Sequence, residues 1–147
     1  MSSDEKLERA KALGADYGIN YKTHPEWDKA VLAFTEGRGA DHIVDLGGAA
    51  TLNHSISALK VGGRISIVGL LSGASVKDFA IVPAIIRKAR LQAINVGSRE
   101  MFERMNRAIE HHALRPVIDR SFPFAQSIDA FRYLAKGSSF GKIVISF

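Results

Sequence analysis

A chain of 147 residues, 46% of them hydrophobic, is one domain's worth of material with enough apolar side chains to bury a core. It holds no cysteine, which removes disulfide frameworks, thiol nucleophiles and cysteine-ligated zinc. It has neither an apolar run of membrane length nor a signal-peptide start at Met1-Ser2-Ser3-Asp4-Glu5, so a cytoplasmic address and no membrane partner are expected. The net charge of +5 would suit a nucleic acid, but the basic residues are scattered singly along helices that also carry Asp and Glu. The expectation is no nucleic-acid partner, and a mildly basic surface equally attracts a phosphorylated cofactor.

In chain order, Ser2-x-x-Glu5 reads as a capping box, and the first helix runs from Ser2 to Leu13 with Leu7, Ala10 and Leu13 as its stripe. Gly14 suits the position after its end, and Tyr17 to Tyr21 reads as a strand. Thr23-x-x-Glu26, with Pro25 in the first turn, opens a second helix whose apolar face is Trp27, Val31 and Phe34, ended by Gly37-Arg38-Gly39. His42 to Leu46 is a short buried strand, and Thr51 to Leu59 a helix with Leu52, Ile56 and Leu59 inward. Val61-Gly62-Gly63 turns the chain into the strand Arg64 to Leu70.

A short helix near Val82 to Lys88 and the strand Leu91 to Val96 follow. Ser98 caps the helix Arg99 to His112, whose stripe Phe102, Met105 and Ile109 reads as core. Phe122-Pro123-Phe124 breaks the next segment, Ile128, Phe131 and Leu134 mark a last helix, and Lys142 to Phe147 closes the chain as a strand. Alternating elements with apolar strands give an α/β class with a mostly parallel sheet. The pattern starts in mid-unit, and no G-x-G-x-x-G lies among the 13 glycines. In a complete dinucleotide fold a strand, a glycine-rich turn, its helix and a second strand would come first.

Several motifs then become specific. Ser3-Asp4-Glu5-Lys6, Leu13-Gly14-Ala15-Asp16, Asn20-Tyr21, Gly39-Ala40-Asp41-His42-Ile43-Val44-Asp45, Gly62-Gly63-Arg64, Arg115-Pro116-Val117-Ile118-Asp119 and Phe140-Gly141-Lys142-Ile143-Val144-Ile145 resemble the medium-chain dehydrogenase/reductase superfamily. Within it the chain is most similar to zinc-type alcohol dehydrogenases and their quinone oxidoreductase relatives, over essentially its whole length. The resemblance implies that residues 1–147 are the C-terminal part of a dinucleotide-binding domain: a partial Rossmann-type, doubly wound sheet lacking the first βαβ unit, with the catalytic domain absent. The implied activity is that of an NAD(P)-dependent oxidoreductase passing a hydride between nicotinamide and an alcohol, aldehyde or quinone, with the isolated chain inactive. The implied cofactor is NADP or NAD, any zinc belongs to the absent catalytic domain, and no catalytic residue falls in this chain.

Lys6 sits in the first turn of its helix, where a cation gains nothing from the helix dipole. By resemblance it contacts the 2′-phosphate of NADP, helped by Tyr21 and the hydroxyls of Ser2 or Ser3; the alternative is a solvated lysine and a half-buried tyrosine. Gly47 and Gly48 follow a strand where ligands bind in such sheets, and glycine there lets a sugar or ring approach the backbone, or simply turns the chain. Gly69, Leu70 and Leu71 are implied to lie beside the nicotinamide. Gly97, Ser98 and Arg99 open a helix whose amides and guanidinium suit a phosphate, and Lys142 matches a motif that nears the cofactor in relatives.

Asp45 reads as a strand-end carboxylate satisfying backbone amides rather than as a general base. His111 and His112 point to different helix faces, and His24, His42 and His54 share no ligand spacing, so no metal site is expected. Without the first strands, the His42 to Leu46 strand would have a bare edge. By resemblance the Leu91 to Val96 edge joins subunits, so a homo-oligomer through sheet edges is expected. The rival reading is a non-catalytic oligomerisation or binding module.

Overall fold

The computed structural model describes all residues 1–147 and divides into two compact units, Met1–Val96 and Gly97–Phe147. In the first, α1 (Asp4–Ala12), α2 (Trp27–Phe34), β1 (Ala40–Asp45), α3 (Leu52–Ala58), β2 (Leu59–Ile67), α4 (Ile81–Ile86) and β3 (Arg90–Ala93) follow one another. The three strands form a parallel sheet of order β1-β2-β3, with Ile43 opposite Ile65 and Ile65 opposite Leu91. Each parallel step needs a crossover, which α3 and α4 provide.

The core of this unit lies on one side of the sheet. Leu52 and Ile56 of α3 pack with Leu59 and Ile65 of β2, and Ile43, Ile67, Val76, Ala84 and Ala89 close around them. Ile56, Leu59 and Ile65 are fully buried, each contributing roughly 1.5–3 kcal/mol of transfer free energy. Leu52 and Ile56 therefore point inward as their helical spacing predicts, whereas Leu59, expected on the same helix, is buried as the first residue of β2. Alternate strand residues face the other way, and there His42, Val44, Arg64, Arg90 and Gln92 are exposed while Ser66 is buried. The strand expected to be buried at His42 to Leu46 is thus covered on one face only, and β3 is exposed along its length.

At the N-terminus, Ser3 rather than Ser2 caps α1, its hydroxyl accepting the Lys6 N–H at 3.3 Å. Asp4 and Glu5 at the start and Arg9 and Lys11 at the end complement the helix dipole. Gly14 takes φ +99° just beyond the helix, as expected. Leu7 is buried against Gly18, where a Cβ would lie 2.8 Å from Leu7 Cδ2. The expected strand Tyr17 to Tyr21 does not form. A parallel strand exists only with a ladder beside it, and the only backbone that runs along this segment is Met1, whose N–H donates to Ile19 O at 2.7 Å and whose carbonyl accepts from Tyr21 N at 3.1 Å.

The start of α2 also differs. Glu26 precedes it without a side-chain cap, and the Thr23 hydroxyl donates instead to the Asn20 carbonyl at 3.2 Å. Only part of the expected apolar face is covered: Phe34 remains 53% exposed and stacks on Tyr17 with ring centres 4.3 Å apart. Asp28 bonds His54 Nδ1 of α3 at 2.7 Å, and the Trp27 ring lies 5.5 Å from the same imidazole.

The second unit holds α5 (Arg99–His111), β4 (Ile118–Pro123), a short 3-10 turn, α6 (Ser127–Ala135) and β5 (Lys142–Ser146). β4 and β5 pair in parallel as a separate two-stranded sheet around Phe122 and Ala130, and the expected α/β class with parallel strands holds in both units. β4 is not expected from the sequence, since Pro123 reads as a breaker; it stands at the strand's last position, where the missing N–H interrupts little of the ladder. Arg120 lies over the Phe122 and Tyr133 rings at 4.9 and 5.4 Å, and Tyr133 donates its hydroxyl to Asp119 at 2.8 Å. The α5 stripe is not core: Phe102 and Met105 are 58% and 49% exposed.

Candidate functional site

Asp45, the last residue of β1, organises the carboxyl end of the sheet. One of its oxygens accepts the Gly47 and Gly48 N–H groups at 3.0 and 2.9 Å and the Thr51 hydroxyl at 2.6 Å, and the other accepts the Ser55 hydroxyl at 2.6 Å. Burial alone pushes this carboxyl up, but the donors from Gly48, Ser55, Thr51 and Gly47 outweigh it and hold the group below the usual carboxylate value. An ionised, four-fold bonded aspartate is a scaffold group, as its strand-end position suggests. Thr51 and Ser55, at six and ten residues beyond it, are its unanticipated partners.

Against this turn lies the segment after β2. Val68 N donates to Asp45 O at 2.9 Å, Leu71 N to Leu46 O at 3.3 Å, Ser72 N to Gly47 O at 2.8 Å and Ala49 N to Gly73 O at 3.0 Å. The Ser72 hydroxyl, also missed in the sequence, donates to Gly47 O at 2.7 Å and accepts from Ala50 N at 2.8 Å. Gly48 has φ +80°, and a Cβ there would lie 2.8 Å from Gly73 O. A Cβ on Gly69 would lie 2.5 Å from Leu46 O. The glycine requirement at Gly48 and Gly69 is thus met by close approach of the chain to itself. Leu70 and Leu71 project from the same corner, 58% and 87% exposed.

The structure brings Gly47, Gly48, Gly69, Leu70 and Leu71 together. A second corner holds Ser2, Ser3, Lys6 and Tyr21: Ser3 is bonded to the Lys6 amide, and Tyr21, 50% exposed, is tied through its amide to Met1. Asp4 Oδ1 beside them accepts from Asn20 Nδ2 at 2.8 Å. In the second unit, Ser98 caps α5 by accepting Met101 N at 3.3 Å, and Arg99 bonds Glu103 at 2.8 Å with its side chain 93% exposed. Lys142 is exposed at the start of β5, where its amide donates to Val117 O at 2.8 Å. No group of three His, Asp or Glu side chains is placed to hold a metal ion, and no helix is long and apolar enough to cross a membrane.

Parallel strands joined by helical crossovers, with glycine turns at the carboxyl ends of β1 and β2, give the architecture of an α/β protein with a Rossmann-type arrangement. Residues 1–111 match the model of the zinc-binding dehydrogenase family, and the chain belongs to that family. Over 147 residues it is 41% identical to a zinc-type alcohol dehydrogenase-like protein of Schizosaccharomyces pombe, covering 98% of this chain and 42% of that protein. The crystal structure of a putative alcohol dehydrogenase from Sinorhizobium meliloti 1021 superposes with a TM-score of 0.89 at 41% identity, covering 100% of this chain and 42% of the other. The crystal structure of an NAD-dependent alcohol dehydrogenase superposes at 0.84 with 34% identity, over 99% and 42%. The chain therefore spans less than half the length of these relatives.

Proposed function

We propose that the chain is the cofactor-binding portion of an NAD(P)-dependent oxidoreductase of the alcohol dehydrogenase type. Bound nicotinamide would supply a hydride acceptor or donor for an alcohol, aldehyde or quinone held by residues outside this chain, and any zinc would lie outside it too. The observation that carries the reading is the stitched corner at the carboxyl ends of β1 and β2, which leaves Leu70 and Leu71 as an apolar surface suited to a flat ring.

The residues of the chain fit part of a dinucleotide. Leu70 and Leu71, presented by Gly69 and backed by Gly47 and Gly48, would bear on the ring and its ribose. Ser2, Ser3, Lys6 and Tyr21 would hold the adenosine end, with Lys6 favouring NADP. Arg99, with the amides of Gly97 and Ser98, and Lys142 are further phosphate contacts in this reading. The amides of a glycine-rich turn, on which the pyrophosphate normally rests, are not among them.

The isolated chain is accordingly expected to bind NADPH more weakly than about 10 μM, to be inactive alone, and to associate with its own kind through the edges of β1 and β3. It belongs with the cytoplasmic enzymes in this reading. Amide chemical-shift changes during titration with millimolar NADPH test it. Shifts confined to residues 2–6, 21, 47–48 and 69–71, or to 97–99 and 142, support the reading, and a titration that moves none of these amides overturns it.

A further inference from the structure

The segment that follows β2 is held at two separate places. At its far end Asn53 of α3 accepts from Ala80 N at 3.0 Å through Oδ1 and donates from Nδ2 to Asp78 O at 3.2 Å, while Val76 packs on the core. At its near end Ser72 grips the turn after β1. Its N–H and its hydroxyl both donate to Gly47 O, at 2.8 and 2.7 Å, and the hydroxyl accepts from Ala50 N at 2.8 Å. Leu70 and Leu71 stand immediately before this grip.

The main chain alone fixes these two leucines incompletely. Val68 and Gly69 donate to Asp45 O at 2.9 and 3.3 Å, and Leu71 to Leu46 O at 3.3 Å, the longer bonds lying at the weak end of the hydrogen-bond range. Leu71 is 87% exposed, so its own packing does not hold it. The Ser72 hydroxyl spans the turn from a carbonyl at Gly47 to an amide at Ala50, and so sets where the adjoining leucines stand relative to Gly47 and Gly48. Both of its bonds lie at the surface, where a hydrogen bond adds little net stability. Its effect falls on position more than on folding.

We propose that Ser72 is a positioning residue for the nicotinamide end of the cofactor, presetting the Leu70 and Leu71 surface through its bridge from Gly47 O to Ala50 N without touching the ring itself. The inference rests on the cofactor reading above and adds a side chain on which ring placement depends. A preset surface binds more tightly because less ordering remains to be done on binding. Loss of the bridge therefore weakens ligands that carry the ring and spares ligands that lack it.

Titration of the whole chain with NADPH and with 2′,5′-ADP, which lacks the nicotinamide half, provides the test, followed by amide chemical shifts. Ser72→Ala should weaken NADPH about fivefold and leave 2′,5′-ADP unchanged, which also shows that the variant is folded. Ser72→Thr keeps the hydroxyl and should restore NADPH affinity. Asn53→Ala removes two bonds from the other end of the same segment and should bind both ligands as the unaltered chain does. Undiminished NADPH affinity in Ser72→Ala, equal loss for both ligands, no recovery in Ser72→Thr, or the same loss in Asn53→Ala would each overturn the positioning role and leave the cofactor reading standing. An unaltered chain whose amides respond to neither ligand would overturn the cofactor reading, and this inference with it.

Discussion

α3 and α5 are the instructive pair. α3 has seven residues and no side-chain cap, yet Leu52, Ser55, Ile56 and Ala58 are buried. α5 has 13 residues, a serine cap, the pairs Arg99–Glu103 and Glu100–Arg104, and a clear apolar stripe, yet none of its residues is buried. The signals that make a helix are local, whereas the signals that bury it lie in whatever surface it meets. α3 meets β2 and the Asp45 carboxylate; α5 is held by its own turns.

That contrast can be broken by mutation. The largest effect is expected for Ile56→Ala, which empties a fully buried site and should cost about 4 kcal/mol in urea unfolding followed by Trp27 fluorescence. A loss under about 1 kcal/mol would mean that α3 is no better anchored than α5.

Asp45→Asn comes next, at about 2–3 kcal/mol, since an amide satisfies fewer of the four donors. Its pH dependence sharpens the point. The folded chain holds this carboxyl below its ordinary value, so its contribution is complete above the unfolded value near about 4. It is lost as pH falls through the folded value. The stability gap between the unaltered chain and the Asp45→Asn variant should therefore be constant above about pH 5 and narrow as the pH falls below about 4; a gap that stays constant into acid would mean that the charge contributes nothing.

Ser98→Ala should remove about 1 kcal/mol from α5 alone, visible as faster amide exchange over residues 99–103 with little change in the Trp27 transition. Met105→Ala, at a half-exposed stripe position, should shift stability by less than about 0.5 kcal/mol. A shift of about 2 kcal/mol, the size expected for a buried methionine, would show that the stripe is covered in solution.

Much of this is legible in the sequence where cause and effect are close together. The Leu52, Ile56 spacing, the Ser98 cap, Gly14 beyond α1 and the amide-binding role of Asp45 each depend on a few neighbouring residues. Tyr17 to Tyr21 looks like a strand because its residues suit one, but strand formation requires a paired neighbour. The α5 stripe reads as core for the same reason, a face being no guarantee of a partner. The lattice around Gly47 depends on Ser72, 25 residues away, and no periodicity announces it. That His42 stands opposite Arg64 and Arg64 opposite Arg90 likewise emerges only once strand register is known.

The stitched corner also determines how this region tolerates change. Apart from the bonds of the Asp45 carboxylate and the Ser72 hydroxyl, its contacts run from main chain to main chain, so the other side-chain identities there are largely interchangeable for folding, while one added methyl is not. In a saturation library sorted for folded protein, Gly48 and Gly69 should be nearly invariant, and so should Gly39, where a Cβ would lie 2.7 Å from the Ala58 carbonyl oxygen. Leu70 and Leu71 should accept almost any substitution in the same library. Where a longer protein carrying this segment is sorted for turnover instead, the two leucines should become constrained, and the difference between the two sorts would separate residues kept for architecture from residues kept for chemistry.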